Sequence, residues 1–439
     1  MSKTIKDQEA ILKKMGIEKL NPMQESAHEA ITKNPAVILL SPTGSGKTLA
    51  FLLPIIEQIS TEEVGVQVLI LVPSRELAIQ IEQVTREMGS GYKSNAVYGG
   101  RAFSKDRDEL SHPPAILIGT PGRVADHLRR GTFNVENIRT LVLDEFDKSL
   151  EVGFEEEMKE IILSLPNLEK RILTSATSGI RIPAFAGVKE PVQIDFLGED
   201  LPDISIKIVA ANGNNETEVL SRLLREKQGQ RGIVFCNFRD SIQEVSDKLD
   251  KAGISHGVFQ GGMEQKDRER SLIKFRNGTY NILLATDLAA RGIDVPELDF
   301  IVHYELPFKA EEFTHRNGRT ARMQKSGIAY VIKGENKRLP EFINGTLHTQ
   351  GKVASFEELP DEQLWKTLFI SGGRKDKISK GDIAGLFLKQ GGLKKEELGN
   401  IELKQDCAFV SVPHRKAGKL VEALNNTRLK KKKVRIYPI

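Results

Sequence analysis

The stretch that most constrains this chain is Ser41-Pro42-Thr43-Gly44-Ser45-Gly46-Lys47-Thr48, set directly after the apolar run Val37-Ile38-Leu39-Leu40. A helical pattern of Leu49, Ala50, Leu52, Leu53 and Ile56 begins beside Lys47. A strand, a glycine turn and a helix in that order give a G-K-[ST] loop its meaning as a phosphate cradle. Thr43, Gly44, Ser45 and Gly46 let the backbone curl so that its N–H groups face a polyphosphate. Lys47 supplies charge for the outer phosphates, and the Thr48 hydroxyl is placed to ligate Mg²⁺. The pattern predicts a nucleotide site on an α/β scaffold.

The remaining chain repeats strand-like and helical segments in alternation. Apolar runs at Val68 to Val72, Ala96 to Tyr98, Ala115 to Ile118, Leu141 to Leu143 and Arg171 to Thr174 fill the first half. After an extended stretch from Leu197 to Ile204 the rhythm restarts, at Ile206 to Ala210, Gly232 to Phe235, Ser255 to Phe259, Ile282 to Ala285, Phe300 to Val302 and Ile328 to Ile332. Alternation of this kind predicts parallel sheets, whose ligands sit beyond the carboxyl ends of the strands. No residue-level repeat is visible, yet the architecture is used twice.

Chemistry-bearing residues fall at those strand ends. Asp144-Glu145-Phe146-Asp147 follows one strand: Asp144 is placed to hold the Mg²⁺ shell, and Glu145 to orient and deprotonate a water. Ser175 and Thr177 follow the next. The second half has no phosphate loop but carries Thr286 to Asp294 and the run His315-Arg316-Asn317-Gly318-Arg319-Thr320-Ala321-Arg322. Three-residue spacing predicts that Arg319 and Arg322 share a helical face and reach one phosphoryl group together. Upstream of the loop, Asn21-Pro22 predicts a helix start, and the Gln24 carboxamide can offer a donor and an acceptor to an adenine edge.

This set resembles the DEAD-box ATP-dependent RNA helicases, from about Gly16 to Arg322. The matching motifs are the glutamine motif ending at Gln24, the phosphate loop, Pro73 to Leu77, Gly99-Gly100, Thr120 to Arg123, Asp144 to Asp147 and Ser175 to Thr177. Ile233 to Asn237, Gln265 to Arg268 and the two later runs complete the set. The resemblance implies two tandem RecA-like domains that close on ATP and single-stranded RNA, with Mg²⁺ as the metal. It assigns Gln24 to adenine, Lys47, Asp144, Glu145, Arg319 and Arg322 to hydrolysis, and Asp294 to the ribose. Arg75, Gly100, Thr120, Arg123, Arg268 and Thr286 would grip the RNA backbone; Asp147, Ser175, Thr177 and His315 would couple hydrolysis to closure. The chain departs from the family at Phe146, where alanine is usual. Asp7 and Ile17 stand where aromatic residues are usual, which leaves adenine without its customary stacking ring.

Charge marks a third region. From Trp365 onward there are 18 Lys and Arg against 7 Asp and Glu, a net +11 within a chain of net +4, so the preceding part stands at −7. A basic end on an acidic body predicts a polyanionic partner. Strands at Leu368 to Gly373 and Cys407 to Val412, with helices at Ser379 to Lys389 and Lys416 to Leu424, suggest a β-α-β-β-α-β RRM-like sheet. Phe369 and Phe409 fall where such sheets stack bases, Cys407 where a second aromatic is expected, and Lys430 to Lys433 add phosphate-binding charge. The stretch Ser371 to Ile378 is similar to the start of the RNA-binding domain in DbpA-type bacterial helicases, which implies ribosomal RNA and large-subunit assembly.

The expected layout is therefore residues 1–200 and 201–350 as RecA-like domains, 351–362 as linker and 363–439 as a small α+β RRM-like domain. Cys236 and Cys407 read as buried hydrophobes rather than a disulfide or metal pair. The start lacks the apolar core of a signal peptide, and no apolar run reaches membrane length, so a cytoplasmic monomer is expected. Two activities fit: local unwinding of short RNA duplexes, or an ATP-gated RNA clamp with little strand separation. A DNA translocase on the same motor would be marked by equal stimulation by DNA.

Overall fold

A computed structural model describes residues 7–42, 44–178, 181–198, 204–211, 215–290, 295, 298–320, 327–335, 337–343, 345–347 and 364–439. The chain divides into one unit carrying a first sheet and a second unit carrying another seven-stranded sheet, a four-stranded sheet and a two-stranded hairpin. The first sheet comprises β1 (Ala36–Leu40), β2 (Val68–Leu71), β3 (Ser94–Val97), β4 (Ile116–Gly119), β5 (Thr140–Leu143), β6 (Lys170–Ser175) and β7 (Val192–Asp195). The second comprises β8 (Ile204–Ala210), β9 (Gly232–Cys236), β10 (Gly257–Phe259), β11 (Ile282–Thr286), β12 (Phe300–His303), β13 (Gly327–Lys333) and β14 (Thr346–Leu347).

Their orders are β3-β4-β2-β5-β6-β1-β7 and β10-β11-β9-β12-β13-β8-β14, so each strand of one sheet has its counterpart in the other. Pairing is parallel throughout. Strands such as β1, β2, β9 and β11 are buried along their whole length, as a parallel sheet covered on both faces requires. These are two RecA-like domains. The sequence pattern misses β7 and β14, the outermost strands; β7 is largely solvent-facing and has no apolar run to announce it.

The third sheet comprises β15 (Trp365–Ile370), β16 (Ile401–Leu403), β17 (Ala408–Pro413) and, after a small hairpin of β18 (Arg428–Leu429) and β19 (Lys432–Lys433), β20 (Ile436–Pro438). Its order is β16-β17-β15-β20, antiparallel, with helices Lys380–Gly385 and His414–Leu424 in the β-α-β-β-α-β sequence. The first strand starts at Trp365, earlier than the apolar pattern indicates, and Ser371-Gly372-Gly373 forms a turn instead of its end. Leu368, Ile370, Val410 and Val412 point into a core with Phe387 and Leu420, and the opposite face carries the aromatic residues.

Among the described residues no helix is long and apolar enough to cross a membrane. Cys236 is buried as expected; Cys407 is only half-buried, because it borders the tight turn between β16 and β17.

Candidate active site

The phosphate loop turns out of β1 into the helix Lys47–Gln58. Gly46 has φ +94, and a Cβ there would stand 2.5 Å from Gln24 Nε2, so geometry and space both demand glycine. The Lys47 ammonium is buried and donates to the carbonyls of Ser41 (2.6 Å) and Pro42 (2.8 Å). Ser41 and Ser45 share a hydroxyl bond of 2.6 Å. Gln24 lies in the first turn of the helix Pro22–Lys33, where its Oε1 accepts from the Asn21 N–H at 3.1 Å in a capping box. Its Nε2 donates to the Gly46 carbonyl at 3.4 Å, and Asn21 Nδ2 to that of Ser45 at 3.1 Å. The glutamine is thus fastened to the loop itself. Gly44 and the half-buried Thr48 complete the described loop; Thr43 lies outside the described residues, as do Asp294 and Arg322.

Asp144 follows β5 and is buried, which pushes its carboxyl up, opposed by the Thr174 hydroxyl bond and the charge of Lys47. Thr174 Oγ1 also accepts the Glu145 N–H at 3.2 Å, so one hydroxyl fixes both acids. Glu145 has φ +48 and ψ +51, a left-handed conformation that costs a non-glycine residue about 1–3 kcal/mol. Phe146 is fully buried beside Leu40, Leu143 and Leu173, contributing about 2–3 kcal/mol of apolar burial behind the acids. Thr177 Oγ1 donates to Asp147 at 3.1 Å, and Ser175 Oγ both accepts the Thr177 N–H and donates to its carbonyl, each at 2.9 Å. The three predicted coupling residues of this unit therefore form one chain.

No group of three or more His, Cys, Asp or Glu able to hold a metal occurs among the described residues. A buried carboxylate and one loop hydroxyl suit Mg²⁺, which takes few protein ligands and completes its shell with water and phosphate oxygens.

Arg75 opens the helix Arg75–Met88 after β2, and its guanidinium lies over the Gly99-Gly100 turn; a Cβ at Gly100 would stand 2.5 Å from Nη1. Thr120, buried, precedes the helix Pro121–Arg129 that carries Arg123. Arg123 is tied down: Nε donates to the fully buried Asp106 at 2.8 Å and Nη2 to the Arg101 carbonyl at 2.9 Å. Arg101 and His127 also border Asp106.

The second unit repeats the first of these devices. Arg239 opens the helix Arg239–Lys251 after β9, as Arg75 does after β2, and lies over Gly261-Gly262. A Cβ at Gly262 would stand 2.8 Å from Arg239 Nη1. Arg268 sits over the Phe259 ring at 4.8 Å, and Thr286 is buried at the end of β11.

The DEAD/DEAH box helicase family matches residues 21–183, the helicase conserved C-terminal domain residues 215–324 and the DbpA RNA binding domain residues 367–438. The ATP-dependent RNA helicase DbpA of Escherichia coli is 34% identical over 97% of this chain and 95% of its own length. The chain belongs to the DEAD-box ATP-dependent RNA helicases. The helicase of the same name from Bacillus subtilis is 30% identical over 97% and 96%. Among solved structures, S. cerevisiae Dbp5 bound to RNA and ADP BeF3 aligns with TM-score 0.67 at 26% identity, covering 75% of this chain and 88% of that one. Mss116 bound to ssRNA and UDP-BeF aligns at 0.68 and 25%, covering 76% and 74%.

In this DEAD-box helicase the arginine run departs from the helical expectation. The helix Ala310–Asn317 stops at Gly318, so Arg319 lies beyond it, buried. His315, half-buried, is in the last turn. The residue that organises the region is Arg316, missed by the sequence reading and 1% exposed. Its Nε donates to Asp287, Nη1 to the Glu305 carbonyl and Nη2 to Asn237 Oδ1, each at 2.7 Å, with the Phe235 ring 5.1 Å away. Asp106 and Arg239 were also missed. Only Arg239 left a signal: like Arg75, it follows a buried strand and precedes a Gly-Gly pair.

His303, at the end of β12, stacks on Phe313 at 4.5 Å and bonds Asn317 at 2.9 Å. Burial, then the charge of Arg316, push its pKa down to about 3. The folded state therefore refuses a proton that the unfolded chain accepts below its ordinary value of 6.5. Stability contributed by neutral His303 is present above pH 6.5 and lost as pH falls toward 3, by about 2 kcal/mol at pH 5. Urea unfolding at pH 7 and pH 5 should show a smaller difference for His303→Gln; an equal difference would show that His303 does not carry the effect.

On the C-terminal sheet, Phe369, Phe409 and Tyr437 are cross-strand neighbours. Phe409 is only 4% exposed, so as placed it is not open to a base as the sequence pattern indicates. Tyr437, 40% exposed, is the outermost ring, 4.8 Å from Phe369.

Proposed function

We propose that this helicase locally unwinds or remodels short RNA duplexes and is directed by its C-terminal domain to structured ribosomal RNA during large-subunit assembly. It works as a monomer, with ATP and Mg²⁺. Lys47 meets the outer phosphates, Thr48 and Asp144 hold the metal, and Glu145 takes the proton of the attacking water. Bound Mg²⁺ supplies charge neutralisation at the phosphates. Gln24 reads adenine, Asp294 meets the ribose, and Arg319 and Arg322 stabilise charge on the transferring phosphoryl group. Asp147, Ser175, Thr177 and His315 couple hydrolysis to the RNA contacts. Arg75, Gly100, Thr120, Arg123, Arg268 and Thr286, joined by Arg239, hold phosphates and sugars without reading sequence.

The observation that carries this reading is the strained Glu145 beside the buried Asp144, both positioned by Thr174, in a chain that ends in a domain of net +11. The test is ATP turnover with poly(U), with single-stranded DNA and with neither. Strong stimulation by poly(U) alone is expected. Equal stimulation by DNA would favour translocation on DNA, and equal turnover without polynucleotide would end the helicase reading. Ultraviolet crosslinking of bound RNA in cells, followed by sequencing, is expected to recover large-subunit ribosomal RNA.

A further inference from the structure

Trp365, Thr367 and Phe369 of β15 share one face of the C-terminal sheet with Phe409 and Ser411 of β17, by the two-residue alternation of strands. One end of that face is occupied by the turn that closes the helix Gln265–Arg276 of the second RecA-like domain. Thr367, 0% exposed, meets Asn277 Nδ2 at 3.2 Å and the Thr279 hydroxyl at 2.7 Å. Ser411 Oγ donates to the Asn277 carbonyl at 2.8 Å, and Asn400 to the Asn277 side chain at 3.2 Å. Arg276 forks onto Glu402 at 2.7 and 2.8 Å. Trp365 covers Gly278, where a Cβ would stand 3.4 Å from its ring. Every buried polar group named here has its partner, which makes the seam specific as well as closed.

The other end of β15 has a different character. Past Ser371 the chain enters a segment that packs beside the β18–β19 hairpin through Lys432–Asp376 (2.8 Å) and Lys430–Asp382 (3.1 Å). Those two acids lie against those two lysines, and Lys375, Lys377, Lys431 and Lys433 stand exposed to solvent around them. The Phe369–Tyr437 ring pair borders this lobe, since Ser371 accepts the Arg435 N–H two residues before Tyr437.

We propose that RNA held by the C-terminal domain lies on this open end, its phosphates on the lysine lobe and a base on the Phe369–Tyr437 pair, while the opposite end of the same sheet stays docked on the second RecA-like domain. The inference rests on the RNA-directed reading above. A strand laid across the middle of the face would have to displace the Asn277 turn and strip its polar partners. A strand on the open end displaces only counterions. Docking then fixes where bound RNA is presented, without a step in which the seam opens.

Trp365 is the single tryptophan and sits in the seam, so its emission reports docking. In the unmodified chain, adding large-subunit ribosomal RNA should leave that emission unshifted. In a Cys407→Ser background, oxidised Thr279→Cys/Thr367→Cys should bind the same RNA within about twofold of its reduced form. Lys431→Glu/Lys433→Glu should bind it at least about tenfold more weakly. A red shift on RNA addition, loss of binding on oxidation that dithiothreitol restores, or normal binding by the lysine variant would each overturn the proposal. Should the cross-link not form, Arg276→Glu should red-shift Trp365 and Arg276→Glu/Glu402→Arg should reverse the shift; no shift in the single variant would count against the seam. Loss of poly(U) stimulation in the wild-type chain would strike the functional reading alone.

Discussion

Glu145→Gln is expected to bind ATP as the wild type does and to hydrolyse it at least about a hundredfold more slowly. The substitution keeps the size of the side chain and its hydrogen-bonding reach but removes the group that accepts a proton. It leaves in place the support that Thr174 gives to Asp144 and to the backbone of residue 145. The left-handed conformation is equally demanding of glutamine, so the strain is unchanged and stability should move little. Equilibrium binding of a fluorescent ATP analogue together with steady-state phosphate release separates the two effects. Unaltered turnover would remove Glu145 from the chemistry, and weakened binding would give it a structural role instead.

The second large effect is on stability. Arg316→Leu removes a guanidinium that spans Asp287, the Glu305 carbonyl and Asn237, leaving Asp287 facing an apolar side chain. Breaking such a buried pair from one side costs about 3–5 kcal/mol. Lysine does not repair it, because a single ammonium cannot reach three acceptors held in a planar fork. Urea unfolding followed by Trp365 fluorescence reads this unit, since the ring packs on Gly278. A midpoint within error of the wild type would show that the network carries no net stability. Arg316→Leu/Asp287→Leu should recover part of the loss by removing the stranded carboxylate.

Both sheets were legible because β-rich runs and helical patterns alternate, and the proposed catalytic acids stood out because they close one such run. The phosphate loop needed only its own residues. What was hidden depends on long loops of chain: Arg316 finds Asn237 across 79 residues, and Arg276 finds Glu402 across 126. Spacing failed at Arg319 because Gly318 ends the helix, and a glycine at that place is a common stop signal. Alternation placed Phe409 on the correct face, but no local pattern could show the ring covered. The capping role of Gln24 was foreshadowed by Asn21-Pro22, three residues before it, as a capping box requires. Asp106 gave no sign, since beside Asp108 and Glu109 in a short helix it looks like any solvated acid.

Lys47 grips two carbonyls of its own loop, and this bears on the rhythm of turnover. Under the role proposed for Lys47, arrival of a triphosphate is a handover, in which one set of oxygen partners replaces another around the same ammonium. Departure of the spent nucleotide runs the handover backwards and strands no bare charge in a buried place. A catalyst so equipped can reset between rounds without first being rebuilt.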